Sequence, residues 1–252
     1  MRRLALHAGI LLGLLGLFAG CSARKKEDPL LRLSAEESLV EGRRLFEQQK
    51  YGQAQPYFTH AFEVEPNSAS GREALLLAAD SLFLDGGETN FIQAEARYRD
   101  FQNRFPTSDR AAYVQFQVAS ALAHRIERPD RDQAATEKAL TAFEDLLRLY
   151  PTSEYAEKAT AEIIRVRSNL AEHEFQVGRF YLRYGLPGAA AVRLERLLAK
   201  FPDYPDRDKA LLHLGLAYRA AKRADEAQAT FSKLRADFPG SPWLGKVPGE
   251  KS

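Results

Sequence analysis

Small and large apolar residues recur at fixed distances in five stretches of the chain, and each stretch ends at a proline. The prolines are Pro66, Pro106, Pro151, Pro202 and Pro239. Twelve positions before them stand Ala54, Ala94, Ala139, Ala190 and Ala227, and eight positions before them stand Phe58, Tyr98, Phe143, Leu194 and Phe231. A spacing of four places both residues on one face of an α-helix, and a following proline disfavours its continuation. The pattern therefore predicts five amphipathic helices.

A second helix is predicted before each of these, because a small residue stands upstream of each alanine. In three of the pairs the small residue is a glycine twelve positions before the alanine, namely Gly42, Gly178 and Gly215. Ala79 and Ala119 fill the same role at 15 and 20 positions, which exceeds the common spacing by 3 and 8 residues. Loops lengthen at little entropic cost, so we expect these insertions in turns around residues 86–87 and 128–130.

Helix pairs with this order of small, alanine, aromatic and proline positions are typical of the tetratricopeptide repeat (TPR). We therefore predict an all-α fold, a right-handed superhelix of five TPR helix pairs over residues 34–242. The repeats are predicted at about 35–68, 72–107, 112–152, 171–204 and 208–241. Uninterrupted amphipathic sequence from about Glu154 to Tyr184 predicts one long helix that joins repeats 3 and 4. Residues 243–252 are predicted to form a flexible tail.

The N-terminal residues have the layout of a signal peptide. Arg2 and Arg3 precede an uncharged stretch that ends at Gly20, and its apolar part is about 20 Å long as a helix, too short to span a bilayer comfortably. The tetrapeptide 18–21 resembles a bacterial lipobox, so residues 1–20 are predicted to be removed and Cys21 to carry lipid. Ser22 after it favours delivery to the outer membrane. Residues 21–33 then form a tether. The alternative is an ordinary signal peptide and a free thiol.

Charge and cysteine content exclude several classes of function. The chain has 36 basic and 34 acidic residues, and the two numbers become equal once Arg2 and Arg3 of the predicted signal peptide are left out. The remaining chain has no excess of positive charge to attract nucleic acid. One cysteine supports neither an internal disulfide nor a cysteine-based metal site. No nucleophile, phosphate-binding or zinc-protease motif is present, and His173-Glu174 lacks a second histidine at Val177. We expect no enzyme, no cofactor and no metal.

The C-terminal half resembles the outer-membrane assembly lipoprotein BamD family. The residues that carry the resemblance are 130–132 (DRD), 150–153 (YPTS), 170–174 (LAEHE), 177–181 (VGRFY), Gly185 and 190–193 (AAVR). The resemblance implies a lipid-anchored, periplasm-facing scaffold of the machinery that folds and inserts outer-membrane β-barrels. It also implies three kinds of partner: a BamA-like barrel protein, unfolded outer-membrane proteins and other lipoproteins of the same complex.

The candidate binding residues come from two sources. By the resemblance, Arg193 belongs to the docking half, and Phe180 and Tyr181 match an aromatic pair implicated in partner contact. From the repeat geometry, outward positions of the first helix in repeats 1 and 4 form a peptide groove. These are Leu39, Arg43 and Phe46 in repeat 1 and Phe175, Arg179 and Arg183 in repeat 4. Of these, Arg179 and Arg183 are predicted to bind the partner together with Arg193, Phe180 and Tyr181, and the other four to bind substrate. For Arg193 a purely structural ion pair remains open.

Two other functions stay open at this point. The chain could be another envelope TPR lipoprotein, such as a pilotin-like or Tol-associated binding module, although these lack the LAEHE signature at 170–174. An enzyme carried on repeats is the second alternative, and the missing catalytic motifs disfavour it.

Overall fold

The computed structural model describes residues 28–249, and within them it contains ten α-helices, two short 3₁₀ helices and no strand. The all-α prediction is confirmed, and five antiparallel pairs are consistent with a TPR superhelix. The helices are α1 (Ala35–Glu47), α2 (Tyr51–Val64), α3 (Ala69–Asp85), α4 (Glu88–Arg104), α5 (Ala111–Ala123), α6 (Ala134–Leu149), α7 (Ala156–Arg183), α8 (Pro187–Lys200), α9 (Arg207–Ala220) and α10 (Ala224–Asp237).

The solenoid begins at Ser34, and the described residues 28–33 belong to a separate unit. That unit is described only from Asp28, whose side chain accepts a hydrogen bond from the amide of Leu30 at the start of the 3₁₀ helix Pro29–Arg32. The predicted signal peptide, Cys21 and most of the tether lie outside the described residues. Within residues 28–249 no helix combines the length and the apolar character needed to cross a bilayer.

The small residues that define the repeat let the two helices of a pair cross closely. A Cβ atom added at Gly178 would lie 2.8 Å from Leu194 Cγ, and one at Gly215 would lie 2.3 Å from Phe231 Cε1. Glycine at these positions therefore leaves room for the large residue that the partner helix presents. Each helix also packs against the next along the chain, and α1 additionally contacts α3, as α7 contacts α9.

The long helix predicted across repeats 3 and 4 is confirmed. α7 has 28 residues, and it connects two apolar clusters. The N-terminal apolar cluster extends from Leu39 to Val166, and the C-terminal apolar cluster extends from Leu170 to Val247. Both clusters draw on α7, whose sequence between Ala159 and Gly178 keeps a buried residue on nearly every turn.

The two insertions are accommodated in different ways. The shorter one does not lengthen a turn as predicted, because α3 and α4 each extend to 17 residues and only Gly86 and Gly87 connect them. Both glycines have positive φ, 76° and 87°, which lets the chain reverse tightly. The longer insertion forms the α5–α6 loop, residues 124–133.

The C-terminal segment is packed rather than flexible up to Val247, so the prediction of a tail from residue 243 is wrong there. Trp243 and Leu244 pack against the C-terminal apolar cluster, and Val247 is 2% exposed. The Ser241 hydroxyl holds the segment by donating to Asp208 Oδ2 at 2.6 Å and accepting the Trp243 amide at 3.1 Å. Apolar side chains here cover the open end of the last helix pair.

Candidate functional site

The predicted docking arginine lies on α8 and reaches across to α7. Arg193 Nη1 donates to Glu174, 3.1 Å from Oε2, and Arg196 Nη1 lies 3.6 Å from Oε1 of the same carboxylate. The Glu174 side chain is only 14% exposed, whereas those of Arg193 and Arg196 are 32% and 47% exposed. One sheltered carboxylate therefore holds two guanidinium groups whose outer edges stay open to solvent.

These side chains line the α7–α8 cavity, a cavity of about 610 Å³ bounded by α6, α7 and α8. Its cations are Arg167, Arg193, Arg196 and Lys200, and its acidic residues are Glu137 and Glu174. Arg167 is tied down as well, because it donates to the Lys200 carbonyl at 2.9 Å and lies 3.4 Å from Asp203 Oδ2. The cavity is thus basic on balance, with several of its arginines held in place.

His173 lies at the edge of the α7–α8 cavity and has a structural partner. Its Nδ1 is 2.6 Å from the carbonyl oxygen of Pro129, so Nδ1 carries the proton in this contact. Asn169, one turn earlier, donates to the Glu127 carbonyl at 3.2 Å. Together they bind the α5–α6 loop to the middle of α7. Among residues 28–249, no group of three or more histidine, cysteine or acidic side chains is placed to hold a metal ion.

The other predicted partner residues lie in the last two turns of α7, C-terminal to Glu174. Phe180 is 54% exposed and Tyr184 is 64% exposed, and their ring centroids are 4.4 Å apart. Tyr181 is half-buried against the C-terminal apolar cluster, so its ring contributes mainly to packing. Arg179 and Arg183 stand beside the two exposed rings, one helical turn apart.

Arg179 and Arg183 line a second concavity, which we call the α7–α9 recess. It measures about 460 Å³, and its walls are Gln176, Arg179, Phe180, Leu182, Arg183 and His213. His213 Nδ1 donates to the Lys209 carbonyl at 2.9 Å, and the His213 ring lies 5.1 Å from that of Phe175. Burial lowers the pKa of His213, and the charges of Arg179 and Lys209 act in the same direction against the opposing hydrogen bond. The recess is therefore lined by two cations and by an imidazole whose charged form is disfavoured by burial.

Two of the predicted groove residues are core residues instead. Leu39 is 5% exposed and Phe175 is fully buried, each within one of the apolar clusters. The Phe175 ring faces the next repeat rather than solvent, because it lies against His213 on α9 and against Tyr204. Phe46 is half-buried, with its ring 5.1 Å from that of Tyr51 and 6.0 Å from that of Phe58. Arg43 is exposed as predicted, but it is bound to Glu73 on α3.

A polar site in the N-terminal repeats was missed at the sequence level. Asp80 Oδ1 accepts hydrogen bonds of 2.7 Å from the hydroxyls of both Tyr98 and Tyr113. Burial raises the pKa of the Asp80 carboxyl, against the lowering effect of the two hydroxyls and of Arg110. Asp80 borders a cavity of about 400 Å³ that Arg72 and Arg110 also line. The available signal was a carboxylate inside the run from Ala74 to Leu84, which is apolar apart from Asp80 and Ser81.

Comparison with known proteins gives consistent matches over most of the chain. The family model described as YfiO, outer membrane lipoprotein, matches residues 33–234. A protein from Caulobacter vibrioides named outer membrane protein assembly factor BamD is 29% identical over 230 residues, covering 89% of this chain and 73% of its own length. A Rickettsia prowazekii protein of the same name is 29% identical, covering 94% and 92%. Among solved structures, the TPR2AB domain of yeast Sti1 is similar at 14% identity, covering 81% and 78% with a TM-score of 0.42.

Proposed function

Because the chain belongs to the YfiO family of outer membrane lipoproteins, whose curated members include BamD, we propose that it is a non-enzymatic scaffold in outer-membrane β-barrel assembly. The named function of the relatives supports this proposal, since both are called outer membrane protein assembly factors. A TPR solenoid also suits the task, because stacked helix pairs offer extended surfaces for other proteins and require no covalent chemistry.

The α7–α8 cavity is the proposed docking surface for a BamA-like barrel protein. The observation that carries this assignment is the arrangement of Arg193 and Arg196 on the single carboxylate of Glu174. Each guanidinium has five N–H donors, so the single carboxylate of Glu174 cannot accept hydrogen bonds from all the donors of two guanidinium groups. The remaining donors can bind a carboxylate or carbonyl of the partner in a fork geometry. Glu174 would orient the arginines before the partner arrives.

Unfolded outer-membrane proteins are the proposed substrates, and the first helices of the repeats are their proposed binding surface. In the N-terminal repeats this surface offers Arg43 and the cavity bordered by Arg72 and Arg110. Leu39 and Phe175 no longer belong to it, because both are buried. Arginines next to apolar walls suit an extended peptide with carboxylates and bulky side chains.

The proposed location is the periplasmic side of the outer membrane. The description of the matching family supports outer-membrane association, and the lipobox at residues 18–21 supplies an anchor at Cys21. Several acyl chains, as on a processed lipoprotein, are needed because one chain binds a membrane only marginally.

The experiment that tests the proposal is site-specific photocrosslinking in living cells from positions 193 and 180. We expect position 193 to attach to a large outer-membrane barrel protein with periplasmic domains. A photocrosslinker at Lys158, on the far end of α7, serves as the control position. Attachment at 193 to a secretin or to a cell-division complex instead would reject the assembly function and favour a pilotin-like or Tol-associated module.

A further inference from the structure

Arg179 and Arg183 differ from the other arginines of the α7–α8 pair in having no acidic partner. No carboxylate within the described residues lies within the 4.0 Å that defines an ion pair of either guanidinium. By contrast, Arg167, Arg193 and Arg196 all have one, at 3.4, 3.1 and 3.6 Å. Two like charges one turn apart on a helix repel each other, so this arrangement is electrostatically unfavourable without a ligand.

The two α7 carboxylates that precede the α7–α9 recess are already engaged. Glu174 pairs with Arg193 and Arg196. Glu172 accepts the hydroxyl of Tyr204, and its Oε1 accepts the Gln176 amide at 2.9 Å. On α9, Lys209 adds a further positive charge close by, with its ammonium group 4.8 Å from the centre of the Phe175 ring. Asp206 balances that lysine at 3.2 Å. The two arginines of the recess are left as its unbalanced charge.

The spacing of the charged and apolar groups restricts what can bind. Residues four apart on a helix are separated by about 6 Å along the axis, which applies to Arg179 and Arg183. Alternate residues of an extended chain are separated by about 6.6 Å and point to the same side. Phe180 and Tyr184 form a parallel row, rotated by about 100° around α7, and both rings are more than half exposed. Side by side, these rows offer two cationic contacts and an apolar edge.

We propose that the α7–α9 recess binds an extended acidic segment of a partner protein. Two carboxylates of this segment, two residues apart, pair with Arg179 and Arg183, and an adjacent apolar side chain covers Phe180. The inference goes beyond the proposed function by naming the chemistry of a second partner, which binds at the C-terminal turns of α7. It does not depend on which assembly the protein serves, because the recess requires only an acidic ligand.

A recess favours a peptide over a membrane surface as the ligand. Gln176 and Arg179 on α7 and His213 on α9 form walls around a volume of about 460 Å³. An extended chain fits between two helices, whereas lipid headgroups in a bilayer contact mainly residues that protrude. Pairing of both arginines at once also needs two carboxylates at a fixed separation, which a peptide backbone supplies.

The test is a fluorescence polarisation titration of the full-length lipoprotein in mild detergent. The probe is a labelled peptide, Ser-Gly-Glu-Phe-Glu-Leu-Gly-Ser, and the control peptide carries Gln in place of both Glu residues. We expect the acidic peptide to bind at least tenfold more tightly than the control peptide. We also expect R179Q/R183Q to lose at least tenfold in affinity, while its thermal unfolding monitored by circular dichroism stays unchanged.

A matched variant separates the recess from general charge effects. K138Q/K158Q also removes two exposed cations, one on α6 and one about 30 Å from Arg179 along α7, and its affinity for the peptide should equal that of the wild type. Equal affinity of R179Q/R183Q and wild type would overturn the proposal, as would an equal loss in R193Q/R196Q. Flotation with phosphatidylglycerol vesicles that depends on Arg179 and Arg183, without peptide binding, would assign the site to lipid and overturn it too. Failure of the photocrosslink at position 193 would not affect this result.

Discussion

The hydroxyl of Tyr98 donates a 2.7 Å hydrogen bond to Oδ1 of Asp80, the oxygen that also accepts the hydroxyl of Tyr113. Tyr98 lies on α4 and Tyr113 on α5, so one buried carboxylate on α3 connects three consecutive helices. Burial dominates the pKa of this carboxyl and raises it above the ordinary value of 3.8. The folded protein therefore holds the Asp80 proton more tightly than the unfolded chain does.

This relationship predicts a pH-dependent difference between the wild type and Asp80→Asn. As the pH rises from about 4 through the folded-state pKa, the buried Asp80 carboxyl loses its proton, which burial disfavours. The free energy of unfolding of the wild type therefore falls relative to that of the variant. The Asn Oδ1 still accepts both hydroxyls. Urea unfolding of both proteins at several pH values between about 4 and 7 measures the difference. Asp85→Asn, at an exposed position, is the control, and a difference that stays constant with pH would contradict the prediction.

The glycine of the last helix pair should tolerate no side chain. Gly215→Ala places a Cβ atom where the Phe231 ring lies, 2.3 Å from Cε1, so the ring or the helix must move. Overpacking of this kind costs about 1–3 kcal/mol, which thermal or urea unfolding detects. Gly188→Ala on α8 is the control, because no atom lies within 4 Å of the added Cβ. Equal stability of the two variants would show that α9 and α10 separate easily.

Replacing Arg193 should weaken docking more than folding. Arg193→Leu removes a partly exposed ion pair worth about 1 kcal/mol or less, and Arg196 remains beside Glu174. We expect the melting temperature to change little, while the barrel partner is lost from the copurified complex. Arg148→Leu, which also removes an exposed arginine paired to a carboxylate, is the control. A large loss of melting temperature with intact copurification would assign Arg193 to the fold instead.

The predicted lipid anchor is tested at Cys21, the residue before which the signal peptide is predicted to be cleaved. Cys21→Ser removes the thiol that lipid attachment requires, so the precursor should stay uncleaved by the lipoprotein peptidase and leave the outer-membrane fraction. Immunoblots of fractionated cells measure both effects, with Ser22→Ala as the control for a change at the neighbouring position. Unchanged sedimentation with membranes would rule out the lipid anchor.

The repeat architecture was predictable because its signal is local. Gly178 and Leu194 stand at the small and large positions of the repeat pattern, which predicts that their helices cross closely. The structure has this close crossing. The length of α7 was predictable for the same reason, since an apolar stripe without a proline or glycine before Gly178 indicates continued helix.

The orientation of individual groove residues was less predictable. Leu39 and Arg43 are four apart on α1, yet Leu39 is buried in the N-terminal apolar cluster and Arg43 is exposed beside Glu73 on α3. Asp80 shows the same limit, since the sequence places a carboxylate in an apolar run but gives no sign that Tyr113, 33 residues later, satisfies it. Contacts of this range depend on how the pairs stack, and the repeat pattern does not encode them.

The unbroken course of α7 has a mechanical consequence. Its 28 residues form a rod about 42 Å long that crosses from one half of the solenoid to the other. The α5–α6 loop is fastened to the middle of this rod by His173 and Asn169, and Arg183 lies at its far end. Because one continuous helix carries both, the α5–α6 loop and Arg183 are held at a fixed separation along the solenoid.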